Sequence, residues 1–304
     1  MELETAAKYF LLGVACGTHL IGTNEKSSQK RPPDQGDSQD ISTSTNEQNV
    51  KRGKFEASWV DEVAGNIHQD APEMNDFVKQ QLEANAAKNW HHFYKRNQNK
   101  FYKDRHYLHH AFPGICNVPS GHVSTPRPST LMGLGCGVGN ALFPLAEMDP
   151  SLRIIGLDFA QEAIALFRQH PQYDGVRIRA YVQDLVNHPF VPEISAELGS
   201  IDKVLCLFCL SAIHPDKMNV VIRKAWEALR PGGVFYFRDY TRGDHAQVRF
   251  GTSKKISENF YMRQDGTRVS QTFVAELSRL LCEVCMNRSP SRLTFSPTMR
   301  FAVC

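Results

Sequence analysis

The apolar and polar positions of this chain fall into three regimes along its 304 residues. Residues 23 to 53, "TNEKSSQKRPPDQGDSQDISTSTNEQNVKRG", are polar and poor in aromatic side chains. Such a stretch cannot bury enough apolar surface to offset the entropy of ordering, so 1–56 is expected to form a disordered or poorly ordered extension. From residue 74 the pattern changes. Met74, Val78, Leu82, Ala86 and Trp90 recur four apart, one stripe of a helix. Residues 57–113 therefore read as an N-terminal helical element. Pro, Gly and Ser then crowd 114–129 and mark a linker.

After residue 130 the period alternates. "TLMGLGC", "RIIGLDF", "VRIRAYVQDL", "IDKVLCLFCL" and "VFYFRDY" read as strands. "NALFPLAEM", "AQEAIALFRQH" and "PDKMNVVIRKAWEALR" lie between them with helical spacing. Strands alternating with helices predict an α/β fold with a doubly wound parallel sheet over 130–285. The remaining 286–304 form an atypical tail, in which "SRLTF" and "MRFAVC" are the only strand-like pieces and find no evident partner.

Composition narrows the functional classes. The formal net charge is only +3, so a nucleic-acid partner would have to be met by a local patch. No apolar run reaches membrane-spanning length. The stretch "YFLLGVACGTHLIG" has the length of a signal-peptide core, but "MELETAAK" before it carries two acids and one lysine. Eight cysteines include two C-x-x-C pairs, Cys206/Cys209 and Cys282/Cys285. The first lies in a strand, where alternate residues face opposite ways. They read as thiols of a reducing compartment rather than a metal site. The expected location is the cytoplasm, with the nucleus a second.

The candidate chemistry sits in "LMGLGCGVGN". Gly135, Gly137 and Gly139 alternate in a turn that follows the first strand, where ligands of open parallel sheets bind. No Gly-Lys-Ser/Thr follows, which excludes a P-loop. The spacing is also one residue tighter than the dinucleotide fingerprint. Asp158 ends the second strand, where a carboxylate can accept from a ribose diol. Asp184, followed by Leu185, ends the third, where a purine amino group can be read. Each acid could equally cap a helix. With "LRPGG" before the fifth strand, this set resembles the class I S-adenosylmethionine-dependent methyltransferases, a Rossmann-like fold.

"LSAIHPDKM" at 210–218, "KNWHHFYKRNQNKFYKDRH", "FRDYTRGDHAQVRF" and "SENFYMRQDGTRV" together resemble the tRNA N3-methylcytidine methyltransferases over roughly 74–269. That resemblance implies methylation of cytidine at position 32 of the anticodon loop. The implied partners are tRNA, serine tRNA among them, and a synthetase such as seryl-tRNA synthetase, with no membrane. It implies that Trp90 and Tyr94 cover the cofactor and that Lys103, Asp104 and Arg105 organise the site. Asp239 is the candidate carboxylate beside the exocyclic amine. For RNA the candidates are Lys95, Arg96, Lys100, Lys103, Arg249, Arg263 and Arg268, with Trp90, Phe93, Tyr94, Phe101, Tyr102 and Tyr107 interleaved. No metal is called for. Two features depart from the family. Gly133 stands where its relatives carry an acid, so weaker cofactor binding is expected, restored by Gly133→Glu. The tail does not match, so the sheet is expected to lack its closing strands. Two alternatives stay open: a catalytically impaired member that binds RNA or a partner protein, and a class I methyltransferase acting on a protein or small molecule.

Overall fold

The computed structural model describes residues 70–116, 128–271 and 300–303. The expected N-terminal extension, most of the linker, "SRLTF" and the Cys282/Cys285 pair lie outside these.

The stripe at 74–90 folds as two helices, α1 (Asp76–Ala84) and α2 (Ala86–Asn97). Asn75 caps α1 by accepting the Val78 N–H at 2.9 Å. At Asn85 the backbone leaves helical geometry (φ −94°, ψ 7°), and its Nδ2 donates to the Gln81 carbonyl at 2.8 Å. A side-chain amide that bonds nearby backbone competes with the helical ladder, and this the spacing alone does not reveal. The break lets each helix bury its stripe against a different neighbour. Leu82, Met74 and Val78 of the α1 region pack on Ile256 and Phe260. Phe93 and Tyr94 of α2 pack on Val138, Ala160 and Ala163. A single turn, α3 (Leu108–Ala111), follows.

The alternating region then supplies β1 (Thr130–Leu134), α4 (Leu142–Met148), β2 (Arg153–Asp158), α5 (Gln161–Arg168), β3 (Ile178–Val182), α6 (Pro192–Ser195), β4 (Ile201–Leu207), α7 (Met218–Ala228) and β5 (Leu229–Arg238). Pro144 falls in the first turn of α4, where its missing N–H costs nothing. A short helix, α8 (His245–Val248), leads to β6 (Lys255–Ser257), β7 (Phe260–Met262) and β8 (Arg268–Ser270), and β9 spans Arg300–Val303. The main sheet runs β3-β2-β1-β4-β5-β9 with every neighbour parallel. Part of "MRFAVC" therefore does find a partner. Phe301 and Val303 stand in register with Phe235 and Phe237 of β5, contrary to the expectation that this piece pairs with nothing. The second sheet, β6-β7-β8, is antiparallel and goes unseen by period, because three residues are too few to show alternation.

Position of the site follows from the order. The chain moves outward from β1 on both sides, so the ends of β1 and β4 diverge and leave a crevice there. β4 is buried along its whole length. Even its polar residues are used: Lys203 Nζ donates to the Ile115 carbonyl at 3.0 Å and to Ser129 Oγ at 3.2 Å, tying together the chain on either side of the linker.

Candidate active site

Gly135, Gly137 and Gly139 have φ of +61°, +56° and +94°, a region open to glycine and strained for other residues. Space forbids side chains as well. A Cβ at Gly135 would lie 2.5 Å from Cys209 Sγ, at Gly137 2.6 Å from the Tyr94 hydroxyl, and at Gly139 2.3 Å from the Phe143 ring. Gly135 and Gly137 border the crevice. Gly139 instead lets α4 pack closely.

Asp158 holds this turn. Its carboxylate accepts the Gly137 N–H and the Ala160 N–H, each at 2.9 Å. Burial pushes its carboxyl up to about 6, against the pull of those backbone donors. Two accepted bonds leave lone pairs on both oxygens, and the group borders the cleft. Asp184 accepts from the N–H groups of Val186 and Asn187 at 2.8 and 3.0 Å and from Asn187 Nδ2 at 2.8 Å. Burial raises it, but these bonds outweigh burial and hold it below the ordinary carboxylate value. It therefore caps a turn and, with Leu185, also borders the cleft.

Two adjoining cavities run beneath α2. The larger, about 330 Å³, lies between Asp158, Asp184, Leu185, Trp90 and His214. The smaller, about 70 Å³, lies between Gly133, Gly137, Arg105 and Tyr102. Trp90 and Tyr94 stack on each other, centroids 5.9 Å apart, and border both. Asn140 fastens the segment that follows α2. Its carbonyl accepts the Arg105 N–H at 2.8 Å, and its Nδ2 donates to the Tyr102 carbonyl at 3.1 Å and to Asp104 at 2.9 Å. Arg105 thereby reaches the cleft, whereas Asp104 faces solvent and holds the segment in place.

A methyltransferase-domain family profile matches residues 132–233. The human tRNA N(3)-cytidine methyltransferase METTL6 is 41% identical over 214 residues, 69% of this chain and 74% of that protein. The Schizosaccharomyces pombe tRNA N(3)-methylcytidine methyltransferase trm141 is 36% identical over 64% of this chain and 77% of that one. Among solved structures, a Burkholderia thailandensis 1,6-didemethyltoxoflavin-N1-methyltransferase is 16% identical, with a TM-score of 0.44 over 71% of this chain and 81% of that one. The chain belongs to the tRNA N(3)-cytidine methyltransferase family.

S-adenosylmethionine is the cofactor of this tRNA N(3)-cytidine methyltransferase family member, and the residues present fit it. The larger cavity has the size of a small-ligand site. Its lining brings together Asp158, Asp184 and Leu185 beside the stacked Trp90 and Tyr94 rings, groups that would suit a ribose diol and an adenine. Among the described residues no cluster of His, Cys, Asp or Glu is arranged to hold a metal ion. The Cys209 thiol is pushed up by its hydrogen bond with Cys206 and by burial.

Other candidates are placed elsewhere than expected. Asp239 does not border either cavity. It accepts the Ser211 N–H and the Tyr240 N–H, both at 2.9 Å, and burial pushes it up to about 6. It thus holds the turn after β4 rather than facing a substrate amine. Arg268 is only 7% exposed and pairs with Glu83, so it is no free phosphate contact. Arg263 is half-buried over the Phe93 and Phe101 rings and 3.5 Å from Asp265. Lys95, Arg96, Lys100, Lys103 and Arg249 are exposed. Sequence reading missed Phe208, which borders both cavities. Its one signal was an aromatic residue closing the apolar run of β4. It also missed Glu83 and Lys217, whose pairing at 2.6 Å spans 134 residues and leaves no local mark.

Proposed function

We propose that this protein transfers a methyl group from S-adenosylmethionine to N3 of a cytidine in tRNA, at position 32 of the anticodon loop. The observation that carries the reading is the adjoining pair of cavities beneath α2. One is large enough for a nucleoside and carries acids at the ends of β2 and β3; the other opens toward Arg105.

Cytosine N3 has a free lone pair, so no base need remove a proton before attack. In a helix that atom is engaged in pairing, so an unpaired base turned out of its stack is the accessible target. Catalysis then rests on placement. Bound S-adenosylmethionine supplies an electrophilic methyl on a sulfonium. Asp158 and Asp184 hold the nucleoside end. Trp90 and Tyr94 cover it and exclude water. Arg105, fixed by Asn140, stands at the junction where the base enters. The exposed Lys95, Arg96, Lys100, Lys103 and Arg249 meet phosphates, which supply most of the affinity without reading sequence.

The resemblance supports serine tRNA as substrate and seryl-tRNA synthetase as a partner that presents it. Free thiols at Cys116, Cys136, Cys206 and Cys209 are consistent with action in the cytoplasm, and also in the nucleus. The test is position-resolved: tRNA incubated with protein and cofactor, then read by reverse transcription. Arrest at position 32 of serine tRNA, increased by added synthetase, is expected. Arrest elsewhere, or equally on all tRNAs with and without synthetase, would overturn the finer assignment.

A further inference from the structure

Phe208 is the strained residue of the site. Its φ is +52°, a conformation that is strained for a non-glycine residue. The surroundings impose this conformation. The Phe208 N–H donates to the Arg238 carbonyl at 2.9 Å, and Asp239 grips Ser211 just beyond. A half-buried aromatic ring is thereby set where the two cavities meet. The Arg105 guanidinium lies over that ring, 4.8 Å from its centroid, and the Tyr240 ring is 5.0 Å away. A path continues outward. Arg263 reaches the Tyr102 hydroxyl at 3.5 Å and lies over Phe101, which is 50% exposed and beside the basic segment.

We propose that the face of Phe208 is the platform on which the target base stacks, in the place the Arg105 guanidinium holds here. This rests on the function proposed above. A planar cation over an aromatic face matches the product in shape and charge. The N3 lone pair forms the new N–C bond as the methyl–sulfur bond breaks, with its electron pair staying on sulfur. The positive charge passes to the cytosine ring until the exocyclic amine gives a proton to solvent. An aromatic face attracts that charge more than it attracts the neutral base. The platform therefore acts on turnover as well as on binding. The strain at Phe208 is consistent with a ring kept in place for use, since glycine would occupy this backbone without cost.

The test uses the full chain and a tRNA anticodon stem-loop, with cytidine or the fluorescent analogue pyrrolocytidine at the target position. Phe208→Leu keeps apolar bulk without a π face. Phe208→Gly removes the ring while relieving the backbone, and its thermal midpoint, measured alongside, separates loss of the ring from loss of the fold. Phe208→Tyr keeps the face. Wild type and Phe208→Tyr are expected to quench pyrrolocytidine on binding and to methylate. Phe208→Leu and Phe208→Gly are expected to lose the quenching and at least roughly tenfold in kcat/KM, as loss of one base stack predicts. Their S-adenosylmethionine affinity by calorimetry is expected to stay within about twofold. Wild-type quenching and turnover in Phe208→Leu would overturn the platform. So would an equal loss of cofactor affinity, which would make the ring a cofactor contact. If wild type itself forms no 3-methylcytidine, the function proposed above fails and the platform with it, a result distinct from both.

Discussion

Leu142 occupies the space into which a side chain on Gly133 would grow. A Cβ there would lie 2.9 Å from Leu142 Cδ1, closer than packed atoms come. Gly133→Glu alone is thus expected to lower the thermal midpoint, at about 1–3 kcal/mol for overpacking. Gly133→Glu with Leu142→Ala makes room, and calorimetry is expected to find that pair binding S-adenosylmethionine more tightly than wild type. Tighter binding by the single variant at unchanged stability would contradict this. Asp158 adds a pH dependence. Its carboxyl sits at about 6, so its ability to accept from a ribose fades as pH falls from 7 to 5, and cofactor affinity is expected to fall with it. For the fold the sign reverses. Between the ordinary value of 3.8 and about 6, the folded state keeps a proton that the unfolded state has lost. This group's contribution to stability therefore declines as pH rises through that window. Asp239 has the same sign. His170, held below its ordinary value by burial, has the opposite one. The comparison is therefore wild type against Asp158→Asn, which should flatten the affinity trend. An affinity profile that is flat in both proteins would remove Asp158 from cofactor binding. The chain positions of Asp158 and Asp184 were readable because strand ends are readable. Their backbone partners, and the turning of Asp239 away from the cleft, were not, since spacing does not report where a side chain points.

The five strands and three main helices of the alternating region stand within a few residues of where their apolar period places them. That is because a parallel sheet buried on both faces leaves nearly continuous apolar runs. The Asn85 break escaped because a side-chain amide bonding back to Gln81 leaves no mark on the spacing, β6–β8 because three residues are too few to alternate, and the pairing of β9 because its partner β5 lies far back in the chain. Glu83 shows how such partners operate. It joins the end of α1 to Lys217 beyond β4 and to Arg268 of β8. Glu83→Gln leaves Arg268 buried without its carboxylate. Glu83 and Lys217 are partly open to water, so a loss of about 1–3 kcal/mol in chemical denaturation is expected, below the roughly 3–5 kcal/mol of a fully buried pair. Stability equal to wild type would show that the triad does not tie α1 to the sheet.

At the scale of the molecule, the fold brings a basic, aromatic segment from the N-terminal side over the ends of the parallel strands. Net charge is only +3, so RNA affinity must come from local contacts. Each exposed cation that meets a phosphate should lower the slope of log affinity against log salt by about one when removed. Lys100→Ala and Arg249→Ala are expected to do this in filter-binding assays, whereas Arg268→Ala should leave the slope unchanged. The opposite ranking would mean that the RNA lies on another face. Mass spectrometry of nucleosides from tRNA incubated with the full chain and isotopically methyl-labelled S-adenosylmethionine tests the proposed methyl transfer most directly. Labelled 3-methylcytidine is expected well above a no-enzyme control, with strongly reduced label when Trp90→Ala opens the cover of the cleft. Label in any other nucleoside, or none in a protein that binds both cofactor and tRNA, would contradict it.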